Sequence, residues 1–291
     1  MAEALPGDVS EKQPVPAGPG RGEPLKVAVF SCGDLGVEVA RALSALSRVR
    51  SVALITAPYV HRRLSLVGRI RQVYRMQGPL GLMMVLAGKL LRPLRNDTEP
   101  ESILGPSDLL PPSVHYFHFD NFHDPDCLLT LEALQPDLGV IAGTYILREN
   151  VFEAPRLGSI NLHSGKVPEY RGAAPAFWEL YNGEPAVGIT IHRVASAVDA
   201  GQVLLQESFP LELAPERDPL EYIEEYRRTV LRPNGVRMLV EAVARIAEGT
   251  AEETAQDSSR ARTYRSPDHR AVRELRRRVR QRRRERRTVE T

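Results

Sequence analysis

A strand, a glycine-containing turn, a helix and a second strand follow one another between Leu25 and Ile55, and this order constrains the fold more than any other feature. Leu25 to Phe30 (LKVAVF) is a short apolar, β-branched run of the kind buried in a parallel sheet. SCGDLG comes next, then an amphipathic stretch from Val37 to Leu46 with Val39, Leu43 and Leu46 on one face. Val52 to Ile55 (VALI) reads as the second strand. Together they make a βαβ unit, which opens an α/β domain. Further strands are expected at Val114–Phe117, Leu138–Ala142 and Ser159–His163, with a helix over Asp126–Leu134. Val187–Val194 and Val203–Leu211 alternate apolar and polar residues, as strands with one exposed face do. The expected fold class is therefore α/β: a Rossmann-like, doubly wound mixed sheet with helices on both faces.

Around that core the chain divides by composition. Residues 1–24 are rich in Pro, Gly and Glu without periodicity and read as a disordered lead-in to the α/β domain, which spans 25–211. Residues 59–95 are long, basic and amphipathic, broken at Gly78-Pro79, and read as inserted helices whose apolar faces pack on the domain. Residues 212–265 read as a helical extension, with helices over 220–230 and 235–247, and 266–291 as a basic tail. The formal net charge is only +2, so the whole molecule is not an obvious polyanion binder; much of the arginine is stacked in RAVRELRRRVRQRRRERR. That run reads as a solvated helix end or an unstructured charge run, with non-specific RNA binding as the alternative.

Cys32 and Cys127 have no paired motif near them, which argues against a disulfide framework or structural zinc and fits a reducing compartment. The longest apolar run, Leu80–Leu91, is interrupted by Gly81, Gly88 and Lys89 and falls well short of the ~20 residues needed to span a bilayer. The N-terminus lacks an apolar core and carries acids, unlike a secretory signal. No membrane span and a cytoplasmic location are expected.

The densest chemistry lies between Gly158 and Gly201. Asn161 and His163 alternate on one strand, so an amide and an imidazole share a face at the end of the sheet, where open α/β folds place ligands. SGKVPEYRGAAP follows as a rigid loop, and Asp199 sits in a second loop, AVDAG. Taken singly, a histidine is more often structural and an Asp in a glycine loop fits turn chemistry. Spacing alone stops at a ligand-binding α/β enzyme.

The ordered set Asn161-Leu162-His163, Pro168 with Tyr170-Arg171-Gly172 and Pro175, Gly188-Ile189-Thr190, and Asp199-Ala200-Gly201 resembles the formyltransferase family, over about Leu25 to Leu211. The resemblance implies an enzyme that moves a formyl group from 10-formyltetrahydrofolate to a primary amine, without a metal. It implies Asn161, His163 and Asp199 as the catalytic triad. It implies a folate pocket lined by Gly143, Thr144, Tyr145, Ile146 and Leu147 on one side and by Ala195, Ser196, Ala197 and Val198 on the other. Lys166, where many relatives have a serine-leucine-leucine-proline segment, is a candidate acceptor contact together with Arg171 and Gly172.

The acceptor is read by exclusion. SCGDLG is not the Gly-Ser-rich phosphate loop of a purine-pathway member, and the residues after Leu211 read as helices rather than the β-barrel of methionyl-tRNA formyltransferases. A nucleotide-linked amino sugar is the expected acceptor, and methionyl-tRNA the disfavoured alternative. Two further alternatives are hydrolysis of formyl-folate by the same residues and a non-catalytic protein that binds RNA or membrane.

Overall fold

The computed structural model describes residues 12–14, 23–59, 109–212 and 217–289, together with Tyr74, Gly78, Pro79 and Met83. Strands β2 (Leu25–Ser31), β3 (Val49–Thr56), β4 (Val114–His118), β5 (Leu138–Ile141) and β6 (Ser159–His163) run parallel in the order β4-β3-β2-β5-β6. Strand β8 (Ala186–Arg193) pairs antiparallel with β6, and β9 (Val203–Pro210) antiparallel with β8. The mixed sheet expected is thus formed; β9 has the one exposed face that its alternation implies, whereas β8, paired on both sides by β6 and β9, is buried from Val187 to His192, contrary to that expectation.

The alternation of side chains along each buried strand feeds two cores. From β2, Leu25, Val27 and Val29 pack with Val39 and Leu43 of α1 (Leu35–Ser44) and with Met238 and Leu239 of α6 (Arg232–Glu248). Ala28 and Phe30 turn to the opposite face, against Phe122, Cys127 and Leu131 of the segment that includes α2 (Pro125–Leu134), and against Val151 and Phe152 of α3 (Glu149–Phe152). Phe30 is fully buried and meets Phe122 edge to face, ring centroids 5.9 Å apart. A strand buried on both faces has no room for a polar residue, which is why LKVAVF contains only Lys26, near one end.

Several elements differ from the sequence expectation. Strand β1 (Lys12–Pro14) lies inside the segment expected to be unstructured and pairs with β10 (Glu252–Thr254), which in turn pairs with β9. Pro14 suits a sheet edge, where its missing N–H is not needed by the ladder. A two-residue parallel pair, β7 (Arg171–Gly172) with β11 (Thr263–Tyr264), was likewise too short to leave a pattern. The two helices expected near 220–230 and 235–247 are α5 (Pro219–Tyr226) and α6, joined without a break by a π-helical turn, Arg227–Leu231. Pro233, which has no N–H to give the preceding turn, stands directly after the π-helical turn, where the i→i−4 ladder is already widened. Helix α4 (Phe177–Asn182) follows the Gly- and Pro-rich loop. The basic tail is neither a solvated end nor unstructured: His269–Val289 is one helix, α7, with Leu275 and Val279 buried against the body. The helices expected over 59–95 lie almost wholly outside the described residues. No helix among the described residues is long and apolar enough to cross a membrane.

Candidate functional site

Antiparallel pairing of β6 with β8 sets Asn161 opposite His192 and His163 opposite Thr190. Asn161 Nδ2 lies 3.2 Å from His192 Nε2 and 3.4 Å from Asp199 Oδ1. His192 Nδ1 donates to the Arg193 carbonyl at 2.7 Å, and its Nε2 faces both the Asn161 amide and the Asp199 carboxylate. His163 Nδ1 stands 3.4 Å from Asp199 Oδ2, and His192 Nε2 3.4 Å from Asp199 Oδ1. The three residues expected to carry chemistry therefore meet at one carboxylate, together with His192, which sequence reading missed. Its signal was present: in VGITIHRV, Gly188, Thr190 and His192 share a face, and that face abuts Asn161 and His163.

Asp199 is held by backbone geometry as much as by its neighbours. Its φ is +49°, a left-handed conformation that Asp tolerates better than most residues. The Gly172 amide donates to its Oδ2 at 2.7 Å. Gln256 Nε2 donates to the Asp199 carbonyl at 2.9 Å and the Gly201 carbonyl at 2.6 Å, and Gln256 Oε1 accepts from Arg171 Nη2 at 2.6 Å and Nε at 3.1 Å. Arg171 thus braces the Asp199 loop through Gln256, and Gly172 presents its N–H to the carboxylate. Gly201 must be glycine, because a Cβ there would stand 1.9 Å from the Arg193 carbonyl oxygen. At Gly188 a Cβ would come within 2.6 Å of Lys166 Cα, so the loop after His163 lies directly on β8. Thr190 Oγ1 and Gln206 Nε2 then donate to the Gly165 and Val167 carbonyls at 2.7 and 2.8 Å, while the Lys166 side chain is exposed.

The charges in this cluster follow from burial and contact. His163 is 8% exposed, and its Nε2 donates to the Tyr170 carbonyl at 2.6 Å. Burial holds His163 below the ordinary histidine range, against the opposing pull of the Asp199 carboxylate and the Tyr170 carbonyl. Burial pushes Asp199 upward, but the His192 hydrogen bond, the His163 ring and the Gly172 amide outweigh it and hold the carboxyl below its ordinary value. A neutral His163 with hydrogen on Nε2 keeps an open lone pair on Nδ1, aimed at Asp199; a proton taken there would lie between the two residues.

The two loops expected to form a folate pocket face each other across the ends of β5 and β8. Ser196 Oγ donates to Glu149 Oε1 at 2.7 Å, tying the Ala195–Val198 loop to the start of α3, just after Leu147. Ile146 and Val198 are 76% and 40% exposed, large apolar side chains left open on facing loops, while Ala195, Ser196 and Ala197 are exposed beside them. Gly143 adopts φ +70° and accepts from the Cys32 amide at 3.2 Å; Thr144 is half-buried. Tyr145 donates to Asn121 Oδ1 at 2.9 Å and accepts from the Phe122 amide, and Leu147 is buried in the core. Ile146 and Val198 are thus available to a ligand, and Tyr145 and Leu147 support the loop. No cluster of His, Cys, Asp and Glu among the described residues has the geometry to hold a metal.

Beside His163 a narrow cleft is lined by Tyr170, Gly172, Trp178, Glu179 and Tyr264. Tyr264 stacks on Tyr170 at 5.3 Å and on Trp178 at 5.1 Å between ring centroids. Glu179 is 2% exposed, and its carboxylate faces the amides at the start of α4 without closing a well-aligned hydrogen bond to them. Burial pushes its carboxyl up to about 7, with the amides at the start of α4 and the Arg227 charge pulling it back in part.

Residues 106–233 match the model of the family described as formyl transferase. A methionyl-tRNA formyltransferase of Synechococcus sp. (strain JA-3-3Ab) is 39% identical over 142 residues, which is 48% of this chain and 42% of that protein. The chain therefore matches less than half the length of that relative. Among solved structures, a glycinamide ribonucleotide transformylase 1 from Symbiobacterium toebii superposes with a TM-score of 0.51 at 20% identity, covering 81% of this chain and 96% of the other. A sugar N-formyltransferase from Shewanella sp FDAARGOS_354 superposes with a TM-score of 0.51 at 14% identity, covering 83% and 76%. At such identities the two superpositions establish a shared fold.

Proposed function

We propose, from the match of residues 106–233 to the formyl transferase family model, that the chain transfers a formyl group from 10-formyltetrahydrofolate to the primary amine of an aminoacyl-tRNA, methionyl-tRNA first. The observation that carries the chemistry is the convergence of Asn161, His163 and Asp199 at the ends of β6 and β8. The amine nitrogen attacks the formyl carbon, a C–N bond forms, and negative charge develops on the formyl oxygen. Asn161 Nδ2–H and His163 Nε2–H are the donors for that oxygen. His163 serves when it exchanges the Tyr170 carbonyl for substrate, with its Nδ1 facing Asp199. The proton lost by the attacking amine passes by way of Asp199 and His163 to the folate nitrogen as the original C–N bond breaks. The exposed Ile146 and Val198 form the apolar walls for the pterin, with loop main-chain groups of 143–147 and 195–198 recognising its edge.

For the acceptor, the relatives named as methionyl-tRNA formyltransferases support an aminoacyl-tRNA over the nucleotide-linked amino sugar expected from sequence. Lys166 is exposed beside the site and suits a phosphate of such an acceptor. The test is single-turnover formyl transfer with methionyl-tRNA, a nucleotide-linked amino sugar, and no amine. Formylated methionyl-tRNA is the expected product. Release of tetrahydrofolate without amine would establish hydrolysis instead. His163→Ala should lower transfer by ~10²–10⁴-fold, and retained activity would remove His163 from the mechanism.

A further inference from the structure

We infer that the outer face of α7 is a docking surface for the phosphate backbone of an RNA, and so the acceptor-binding surface of the reaction proposed above, on which this inference rests. The helix is docked by one face only. Leu275 and Val279 are buried. Beside them Arg282 donates to the Leu180 carbonyl at 2.6 Å and the Tyr181 carbonyl at 3.0 Å, and Arg278 donates to the Tyr181 carbonyl at 3.2 Å with its guanidinium 4.1 Å from the Tyr181 ring centroid. These carbonyls end α4, where cations are favoured. On one flank Arg276 bonds Asp218 Oδ2 at 2.7 Å, at the start of α5. Arg283, on the same flank, donates to the Arg217 carbonyl at 2.8 Å, so two inward arginines and two on the flank are committed to the fold.

A second set of arginines lies on the solvent side of the helix. Arg270, Arg273, Arg277, Arg280 and Arg284 are all exposed. Their spacing of three and four residues puts them in one line, about 180° around the helix from Leu275, and the line is about 21 Å long at ~1.5 Å per residue. Arg277 is bonded by Glu274, which lies to one side of the line. Like charges three and four apart disfavour a helix by ~0.2–0.5 kcal/mol per pair, so the stripe opposes folding and is explained by a partner that neutralises it. The steps between successive arginines, about 4.5–6 Å along the axis, suit a row of phosphates.

The stripe also points towards the chemistry. It begins just beyond Tyr264, whose strand β11 pairs with β7 beside Asp199, and Trp178 Nε1 donates to the Arg265 carbonyl at 3.0 Å. Arg262 and Arg265 are exposed on this connection and extend the positive surface to the cleft. An anionic membrane is the other partner for a basic helix, but membrane binding uses a free apolar face. In α7 that face is spent on the protein.

The experiment measures binding of uncharged tRNA by the full chain across a salt series, for the native protein and for R273Q/R277Q/R280Q. Each phosphate contact contributes ~0.7–0.9 to the log–log salt slope, so the triple variant should lose about 2 from the slope and bind more than 10-fold more weakly at low salt. The single variants should each lose ~0.7–0.9, which keeps the test open if the triple variant folds poorly. R273K/R277K/R280K should restore the native slope. An unchanged slope in R273Q/R277Q/R280Q, or native binding to phosphatidylserine vesicles but not to tRNA, overturns the inference. Transfer to methionyl-tRNA is read in parallel. Stripe-dependent tRNA binding without transfer refutes the acceptor reading and leaves the surface intact. Transfer whose KM the triple variant does not move refutes the surface and leaves the reaction intact.

Discussion

The parallel half of the sheet and the C-terminal segment 219–289 contribute to the same site in opposite ways. The central parallel strands β2, β3 and β5 carry the two cores, and β6, paired with β5, fixes where Asn161 and His163 stand. The C-terminal segment supplies no member of the cluster around Asp199, yet it supports every loop that reaches the cluster. Gln256 holds the Asp199 and Gly201 carbonyls, β11 pairs with β7, Trp178 bonds the Arg265 carbonyl, and α7 caps α4. A core of parallel strands can orient side chains at its ends, but it cannot by itself hold a residue at φ +49° in a loop. That task falls to elements distant in sequence.

The largest effect should come from breaking the half that carries the chemistry. Asp199→Asn keeps the side-chain shape but removes the charge that faces His163 and His192, so transfer should fall by ~10²-fold or more. Single-turnover rates check this, and a loss below 10-fold would show that the carboxylate acts only as a spacer. In the supporting half, Leu275→Ala opens a cavity under a fully buried residue of α7 and should cost about 2–5 kcal/mol of stability, read by denaturant unfolding. If the stability loss were accompanied by a fall in kcat at temperatures where the variant is fully folded, the support would extend to catalysis; an unchanged kcat would confine α7 to stability and docking.

This contrast also explains what was legible in the sequence. The central parallel strands read clearly because burial on both faces leaves continuous apolar runs, and β9 read clearly because one face is exposed; β8 is buried on both faces, its glycine, threonine and histidine turned to the site rather than to solvent. Asn161 and His163 could be placed together from strand periodicity alone. Their partner Asp199 needed the family resemblance, because no periodicity relates a loop residue to a strand thirty-odd positions earlier. Gln256 and Tyr264 gave no signal at all. They act through a side-chain amide reaching two carbonyls and through a two-residue strand, contacts that fix no local pattern. The helix α7 was misread for a related reason: a run of arginine resembles a solvated tail unless the sparse Leu275 and Val279 are seen to sit on one face with Arg278 and Arg282.

A smaller effect distinguishes the two halves by pH. Glu179 lies where they meet, with its carboxyl pushed up to about 7 from an ordinary value near 4.5. The folded state therefore binds the proton more tightly than the unfolded chain, so Glu179 lowers stability as pH rises from about 4.5 through 7. The full cost above that window is on the order of 3 kcal/mol. Glu179→Gln should be more stable than the native protein at pH 8 and close to it at pH 4.5, with thermal unfolding across that range as the measurement. A native-like pH dependence in Glu179→Gln would show that the carboxyl finds a partner in solution.

The smallest effect, and the sharpest for the comparison, concerns Gln256. Its amide donates to two loop carbonyls and accepts from Arg171, so Gln256→Ala leaves three partly buried groups short of partners at ~1–3 kcal/mol in all. If the C-terminal segment serves only to hold Asp199 in place, the variant should lose kcat with a smaller change in KM for the folate, because Gln256 bonds Asp199 and Gly201 themselves rather than residues 143–147 or 195–198. Arg171→Lys should do the same to a lesser degree, since a point-like ammonium keeps one of the two bonds that the guanidinium makes to Gln256 Oε1. A rise in KM without a fall in kcat would move the brace from the chemistry to binding, and would mean that the loop carrying Asp199 is positioned for the folate before it is positioned for His163.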